Sequence, residues 1–239
     1  MSTFQPDFTA HPSNAEGSPL VHAFFDTTTF AWTFVVVDPS TQDALIIDSV
    51  LEFDSASGHI GNKAAQGLAI FVQEKGYNVV RIMETHVHAD HATGALALKQ
   101  VSQSCMHQLN VQILPGNPPI FIGRKVSQVQ QSFGPKYGFA NEDFENSFDG
   151  YLEDGGTFEL GKISVRTCGL PGHTPDSMGI LVGDSLFAGD SIFLREQAPD
   201  RNKAFKLIIK PRRWDSARGL SRRQCNGPLR LDSTDPQAR

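Results

Sequence analysis

Long apolar runs are missing from this sequence of 239 residues. No stretch approaches the roughly 20 consecutive apolar residues of a transmembrane helix, so we expect no membrane partner. Lysine and arginine are also missing before Lys63, and the N-terminus has no apolar segment behind a basic one. This pattern predicts neither a secretory signal nor a mitochondrial transit peptide. We therefore expect a cytoplasmic protein, with a mitochondrial location left open.

Cysteine is scarce as well. Cys105, Cys168 and Cys225 are odd in number and widely spaced, which indicates free thiols in a reducing compartment rather than a disulfide framework. The net charge of −5 disfavours the basic surface that a nucleic-acid partner requires. The sequence leaves open whether the chain forms a homodimer.

Acidic and basic residues are unevenly distributed along the chain. Residues 1–194 contain 9 basic and 21 acidic residues, whereas residues 195–239 contain 12 and 5. The second segment also lacks a sustained helix or strand period. Because such a change in composition marks a boundary, we expect an atypical basic tail over residues 195–239 and a folded domain that ends at residue 194.

Strand and helix patterns alternate within the predicted domain, which indicates the α/β class. FAWTFVVVD and ALIIDS flank a turn and predict a hairpin. NKAAQGLAIFVQEKG predicts a helix ending at Gly76, and NVVRIMET predicts a buried strand. Further helices are predicted in GALALKQVSQ and GRKVSQVQQSFG, and further strands in GTFEL, KISVRTCGL, SMGILVG and SLFAGD.

Three histidines and an aspartate crowd the loop after NVVRIMET: His86, His88, Asp90 and His91. Imidazole and carboxylate are ligands of first-row metals. In an extended or turning loop, His86 and His88 can point to one side and bind one ion. Asp90 and His91 are then placed to bind a second ion or to orient the first ligands. The alternative is a solvated polar loop with Asp90 as a helix cap.

Two more candidate ligands follow later strands. His173 lies in LPGHTPDSMG, after the predicted strand KISVRTCGL, and Asp190 ends SLFAGD. Strands of one sheet end on a common edge, so the side chains at these ends can meet. The sequence therefore predicts a metal site built from several strand ends.

The combination T-H-x-H-x-D-H, G-H-T and G-D resembles the metallo-β-lactamase superfamily over about residues 20–194. The resemblance implies an N-terminal extension over residues 1–20 and a domain of this type over residues 21–194. Within it, ETHVHADHATGA and PGHTPDSMGILVGDSLFAGDSIF are similar to the persulfide dioxygenase, or sulfur dioxygenase, branch. The resemblance implies an αβ/βα sandwich with the metal site at one edge of two packed sheets.

The branch implies one Fe(II) per chain, bound by His86, His173 and Asp190. This is the two-histidine, one-carboxylate set of non-heme iron oxygenases. It also implies that glutathione persulfide and O₂ are converted to sulfite and glutathione, a step of sulfide detoxification. His88, Asp90 and His91 then surround the ligands and fix their orientation.

The two-zinc hydrolases of the superfamily imply a different assignment. His86, His88 and His173 bind one zinc there, Asp90 and His91 bind the second, and Asp190 bridges both. Those enzymes use one more histidine, but none follows His173 in this sequence. This favours the dioxygenase over a glyoxalase II-like zinc hydrolase of glutathione thioesters.

The tail departs from the branch, whose members share an Asp-Phe-Pro-Gly-Gly run in this part of the chain. GLSRRQC (219–225) can be encoded by nucleotides that give Asp-Phe-Pro-Gly-Gly-Ser-Ala when read one nucleotide later. We therefore expect residues 195–239 to be disordered or misread and the sandwich to be incomplete at its C-terminal end. An inactive metal-binding protein is the third functional hypothesis, and we expect the chain as written to be unstable.

Overall fold

The structure is a computed structural model that describes residues 8–13, 15–54, 56–88, 91–100, 114, 116–191 and 208–209. The strands of these residues, in chain order, are β1 Phe8–His11, β2 Leu20–Phe25, β3 Trp32–Val37, β4 Asp43–Ile47, β5 Val50–Leu51, β6 Phe53–Asp54, β7 His59–Ile60, β8 Asn78–Met83, β9 Ala92–Thr93, β10 Ile120–Gly123, β11 Gly150–Leu152, β12 Thr157–Leu160, β13 Ile163–Gly169, β14 Met178–Val182, β15 Ser185–Phe187 and β16 Ile208–Ile209. The α-helices are α1 Lys63–Lys75, α2 Ala95–Gln100 and α3 Val126–Phe133, and short 3₁₀ turns cover Gly134–Tyr137, Asn141–Phe144 and Gly189–Ser191.

Two sheets form the framework. The larger has the strand order β1-β2-β3-β4-β8-β10-β11, and the smaller has the order β12-β13-β14-β15-β16. In the larger sheet β1 to β4 pair antiparallel, whereas β4, β8, β10 and β11 run parallel. The smaller sheet is antiparallel throughout. The predicted hairpin is β3–β4.

Alternation along the strands gives the larger sheet two apolar faces. On one face Phe34 and Val36 of β3 pack with Val165 and Ile180 of the smaller sheet. Val35 and its neighbours on the other face pack against α1 and α2. Both faces of the larger sheet are therefore covered, and the predicted α/β sandwich is confirmed.

Helix α1 is the longest of the described helices. Its buried side chains include Leu68, Phe71 and Val72. At its start, Glu52 accepts hydrogen bonds from the first two helical amides at 3.0 and 2.8 Å, a favourable position for a negative charge. At its end, Gly76 adopts φ +70°, a left-handed conformation that costs glycine little. The predicted end of this helix is confirmed.

The ends of several strands meet at one edge of the sandwich. β4 and β8 are parallel, so Asp48 and Glu84 follow them on the same side. In the smaller sheet β13 and β15 are both antiparallel to β14, so residues after both of them lie beside Met178 at the start of β14. The amide of Met178 donates to the carbonyl of Thr85 at 2.8 Å and joins the two sheets at this edge. The candidate ligands lie at this edge.

The tail prediction falls almost wholly outside the described residues. Only Ile208–Ile209 of residues 195–239 is described, and it pairs with β15 as β16. The domain limits, the disordered or misread tail and the incomplete sandwich therefore stay predictions. Among the described residues, no helix is long and apolar enough to cross a membrane.

Candidate metal centre

Hydrogen bonds from its own backbone fix the segment that follows β8. The amide of Thr85 donates to Asp48 Oδ1 at 2.7 Å, and the amide of Val87 donates to Asp176 Oδ2 at 2.9 Å. Asp48 follows β4 of the larger sheet, and Asp176 belongs to the loop between β13 and β14. Carboxylates from two separate parts of the fold therefore set the backbone on which the histidines stand.

The structure brings His86, His173 and Asp190 together at this edge. Nε2 of His86 lies 3.7 Å from Oδ2 of Asp190, and Nε2 of His173 lies 3.6 Å from the same oxygen. One candidate ligand atom from each residue lies within 4.8 Å of the other two. We call these three residues the triad. His86 is 2% exposed, whereas the side chains of His173 and Asp190 are 36% and 37% exposed, so the triad opens to solvent on their side.

The state of His86 suits a metal ligand. Burial and the positive charge of His88 lower the pKa of His86, although Asp48 and Asp190 act in the opposite direction. The ring is therefore neutral at pH 7, with a lone pair for a metal ion. Its buried Nε2 has no hydrogen-bond partner among the described residues. A metal ion bound by the triad satisfies this nitrogen, so the residues fit the cation that the sequence predicts.

His88 belongs to a second buried group, with Asp48 and Glu84. Nε2 of His88 lies 3.4 Å from Oδ1 of Asp48 and 3.4 Å from Oε2 of Glu84. The rings of His86 and His88 are adjacent, with centroids 4.1 Å apart. The structure thus brings His86 and His88 side by side but places Nε2 of His88 against two carboxylates. We call Asp48, Glu84 and His88 the carboxylate–histidine group.

Charge is balanced inside the carboxylate–histidine group. Burial alone lowers the pKa of His88, but contact with Asp48 and Glu84 and their negative charges raise it to about 11. Burial tends to raise the pKa of Asp48, yet His88 and hydrogen bonds from Thr85 bring it below its usual range. Burial, helped by the charge of Asp48, raises the pKa of Glu84. At neutral pH the group thus contains a cationic His88 beside an anionic Asp48.

His91 lies next to this group. Its ring centroid is 4.2 Å from that of His88, the two rings are nearly perpendicular, and the residue is buried. It is therefore close to His88 but outside the triad. Asp90 lies outside the described residues, so its predicted role stays a prediction.

Asp48, Glu84 and Asp176 were not predicted from the sequence. A signal was present for Asp48, because it follows an apolar strand just as Asp190 does. Glu84 follows the apolar part of NVVRIMET directly. Asp176 lies three residues beyond His173 in the same turn. Each is a single carboxylate next to a turn, and only the pairing of β4 with β8 brings the first two together.

The model of the metallo-beta-lactamase superfamily matches residues 26–222 of the chain. The chain is a member of this superfamily. The prediction made from the three motifs is therefore confirmed.

Curated relatives within the superfamily differ in their named activities. A beta-lactamase hydrolase-like protein of Agrobacterium fabrum is 33% identical over 77% of this chain. The mitochondrial persulfide dioxygenase ETHE1 of Bos taurus is 25% identical over 75% of this chain. The chain spans only 39% of the first protein and 55% of the second. The predicted similarity to persulfide dioxygenases is thus found, beside similarity to a protein named for hydrolysis.

A solved structure of the superfamily has the same fold. The crystal structure of ETHE1 from Myxococcus xanthus aligns with a TM-score of 0.50 at 22% identity, over 73% of this chain and 59% of that one. It supports the sandwich architecture of the superfamily member described here.

Proposed function

We propose that this chain is a non-heme iron persulfide dioxygenase, which oxidises glutathione persulfide with O₂ to sulfite and glutathione. The observation that carries the proposal is the triad. It supplies two histidines and one carboxylate, whereas His88 is held by Asp48 and Glu84. That ligand set is typical of iron oxygenases, which need free coordination positions beside the protein ligands. The similarity to the bovine persulfide dioxygenase supports the same reaction.

Each triad residue has a distinct part in the proposed site. His86 offers its neutral, buried Nε2 from the larger sheet, whereas His173 and Asp190 approach from the smaller sheet and remain partly exposed. The iron held there supplies redox chemistry with O₂. Glutathione persulfide enters on the exposed side, because the other side of His86 is filled by the carboxylate–histidine group.

The balanced reaction takes one persulfide, one O₂ and one water to one glutathione, one sulfite and two protons. The outer sulfur is oxidised and its bond to the glutathione sulfur breaks, while O₂ is reduced. Two protons are released, so the partly exposed side of the triad is also the route for protons to solvent.

Metal content and oxygen uptake test the proposal together. The full chain is purified without oxygen, its metals are measured by elemental analysis, and O₂ consumption is followed with glutathione persulfide. We expect close to one iron per folded chain and one sulfite formed per O₂ consumed. Two zincs per chain without oxygen uptake would contradict the proposal.

A zinc-dependent hydrolase of glutathione thioesters is the second candidate. The closeness of His88 to both His86 and His91 favours it, with ring centroids 4.1 and 4.2 Å apart, because the two-zinc hydrolases of the superfamily use all three as ligands. The Agrobacterium relative, named for hydrolysis, is 33% identical. The same purified protein loaded with zinc is assayed for thiol release from a glutathione thioester. Hydrolysis with zinc and no oxygen uptake with iron favours this candidate.

A further inference from the structure

The hydroxyl group of Thr85 bridges a carboxylate and the buried histidine of the triad. Oγ1 of Thr85 lies 2.7 Å from Oδ2 of Asp48 and 3.0 Å from Nδ1 of His86. All three residues are at most 5% exposed, so water does not compete for these contacts. The amide of Thr85 also donates to the other oxygen of Asp48 at 2.7 Å. Asp48 thus accepts from both hydrogen-bond donors of Thr85.

The direction of these hydrogen bonds determines where His86 carries its proton. A hydroxyl has one hydrogen and two lone pairs, and an ionised carboxylate only accepts. Thr85 must therefore donate its hydrogen to Asp48, and its lone pair accepts a hydrogen from Nδ1 of His86. A neutral imidazole has one N–H, so Nε2 of His86 is left with its lone pair. That nitrogen faces Asp190.

Gly189 restricts the position of the Thr85 side chain. A β-carbon at Gly189 would overlap Oγ1 of Thr85 and would lie 2.9 Å from its Cβ and 3.3 Å from Nδ1 of His86. The backbone next to Asp190 therefore packs directly against the bridge. This contact leaves the hydroxyl little freedom to turn away from His86.

We propose that Thr85 and Asp48 are positioning residues that select the tautomer of His86 and aim its Nε2 at the metal. The inference rests on the proposed metal site, but it does not depend on which metal is bound. Partners that hold a ligating histidine through its second nitrogen commonly contribute tenfold to hundredfold to metal affinity. The bridge is such a partner, with a threonine hydroxyl placed between the carboxylate and the ring.

Substitution of Thr85 tests the bridge. Thr85→Val keeps the shape of the side chain and removes the hydroxyl, whereas Thr85→Ser keeps the hydroxyl. The dissociation constant for Co²⁺ is measured by competition with a chelator, with the visible spectrum of the bound ion as a second readout. We expect Thr85→Val to weaken binding about tenfold to hundredfold and to alter the spectrum. Thr85→Ser should stay within about threefold of the original chain.

Thr93 provides a matched control. Its hydroxyl also donates to a buried carboxylate, Oε1 of Glu84, at 2.7 Å, and accepts from the amide of Ala95 at 3.0 Å, so neither of these hydrogen bonds involves a triad residue. Thr93→Val should therefore leave the Co²⁺ dissociation constant within about threefold. The proposal would be overturned if Thr85→Val and Thr93→Val lost the same amount of Co²⁺ affinity, or if Thr85→Val kept the affinity of the original chain. It would also be overturned if Thr85→Ser lost as much Co²⁺ affinity as Thr85→Val. If the unsubstituted chain binds no metal, the proposed function fails instead.

The tautomer can also be observed without any substitution in the bridge. Long-range ¹H–¹⁵N NMR spectra of the metal-free chain distinguish a protonated Nδ1 from a protonated Nε2, and His86→Asn assigns the signal. We expect the proton of His86 on Nδ1. A proton on Nε2 would refute the inference even if Thr85→Val does not fold.

Discussion

Asp176 and Val87 are joined by a hydrogen bond of 2.9 Å from the Val87 amide to the Asp176 carboxylate. Val87 lies between His86 and His88, and Asp176 lies in the turn that carries His173. This bond therefore couples the two loops that present the histidines of the triad. It sets the distance between ligands from different sheets before any metal is bound.

Removal of the Asp176 carboxylate should destabilise this edge of the sandwich. Asp176 is 1% exposed, and Asp176→Ala leaves the partly buried Val87 amide without its acceptor. We expect a loss of about 1–3 kcal/mol in the free energy of unfolding of the metal-free chain. Asp176→Asn keeps an acceptor oxygen and should lose less. Urea unfolding of both variants measures the difference, and equal losses would show that the hydrogen bond is not the cause.

Triad substitutions should separate ligands from their neighbours. His173→Ala or Asp190→Ala leaves two ligands, so we expect loss of bound iron and of oxygen uptake. His91→Ala should keep the metal and lower activity about tenfold to hundredfold, because His91 lies beside His88 outside the triad. Elemental analysis measures the iron bound to each variant, and an oxygen electrode measures its oxygen uptake. Loss of all metal in His91→Ala, with retention in Asp190→Ala, would show that the ligand assignment is wrong.

Gly189 should not tolerate a side chain. Its φ is +49°, which costs alanine about 1–2 kcal/mol, and the added Cβ overlaps Thr85. We expect Gly189→Ala to lose about 1–3 kcal/mol beyond that cost and to weaken metal binding. Gly155 is the control, because its φ is +79° and a β-carbon there meets nothing within 4 Å. If Gly189→Ala and Gly155→Ala lost similar amounts of unfolding free energy, the overlap with Thr85 would not be the cause of the loss.

His22 should make the stability of the chain depend on pH. Its Nε2 lies 2.8 Å from the hydroxyl of Tyr77, and burial, with the charges of Lys75 and His11, lowers the pKa of His22 from 6.5 to about 4. The unfolded chain binds a proton near pH 6.5 and the folded chain does not, so stability falls as pH falls from about 6.5 to 4. The linked change is at most about 3 kcal/mol.

The His22→Gln variant tests this dependence, because glutamine stays neutral. Urea unfolding of both metal-free chains between pH 7 and 4.5 should show a steeper loss for the original chain. The difference between the two chains then reports His22 together with its charge interactions with Lys75 and His11. Parallel curves would exclude His22 as the source.

Patterns within single elements predicted most of the fold. The apolar face of α1 and the glycine at its end, Gly76, predicted that helix. The turn composition between β3 and β4 predicted the hairpin. The strand ends predicted a shared metal site, and the resemblance to the superfamily selected His86, His173 and Asp190 among its candidates. Asp48 could not be predicted, because one aspartate after a strand also suits a turn. Its contact with His88 depends on the parallel pairing of β4 with β8, which no local pattern specifies.

The triad draws His86 from the larger sheet and the other two ligands from the smaller one. A metal ion there acts as a cross-link between the two layers, as a disulfide does, and it closes a loop of 87 positions between His86 and His173. Because the metal binds the folded chain more tightly than the unfolded chain, the difference in binding free energy stabilises the folded state. Removal of the metal by a chelator should therefore weaken the contact between the two sheets first at this edge. Amide hydrogen exchange should rise there before it rises in the helical layer.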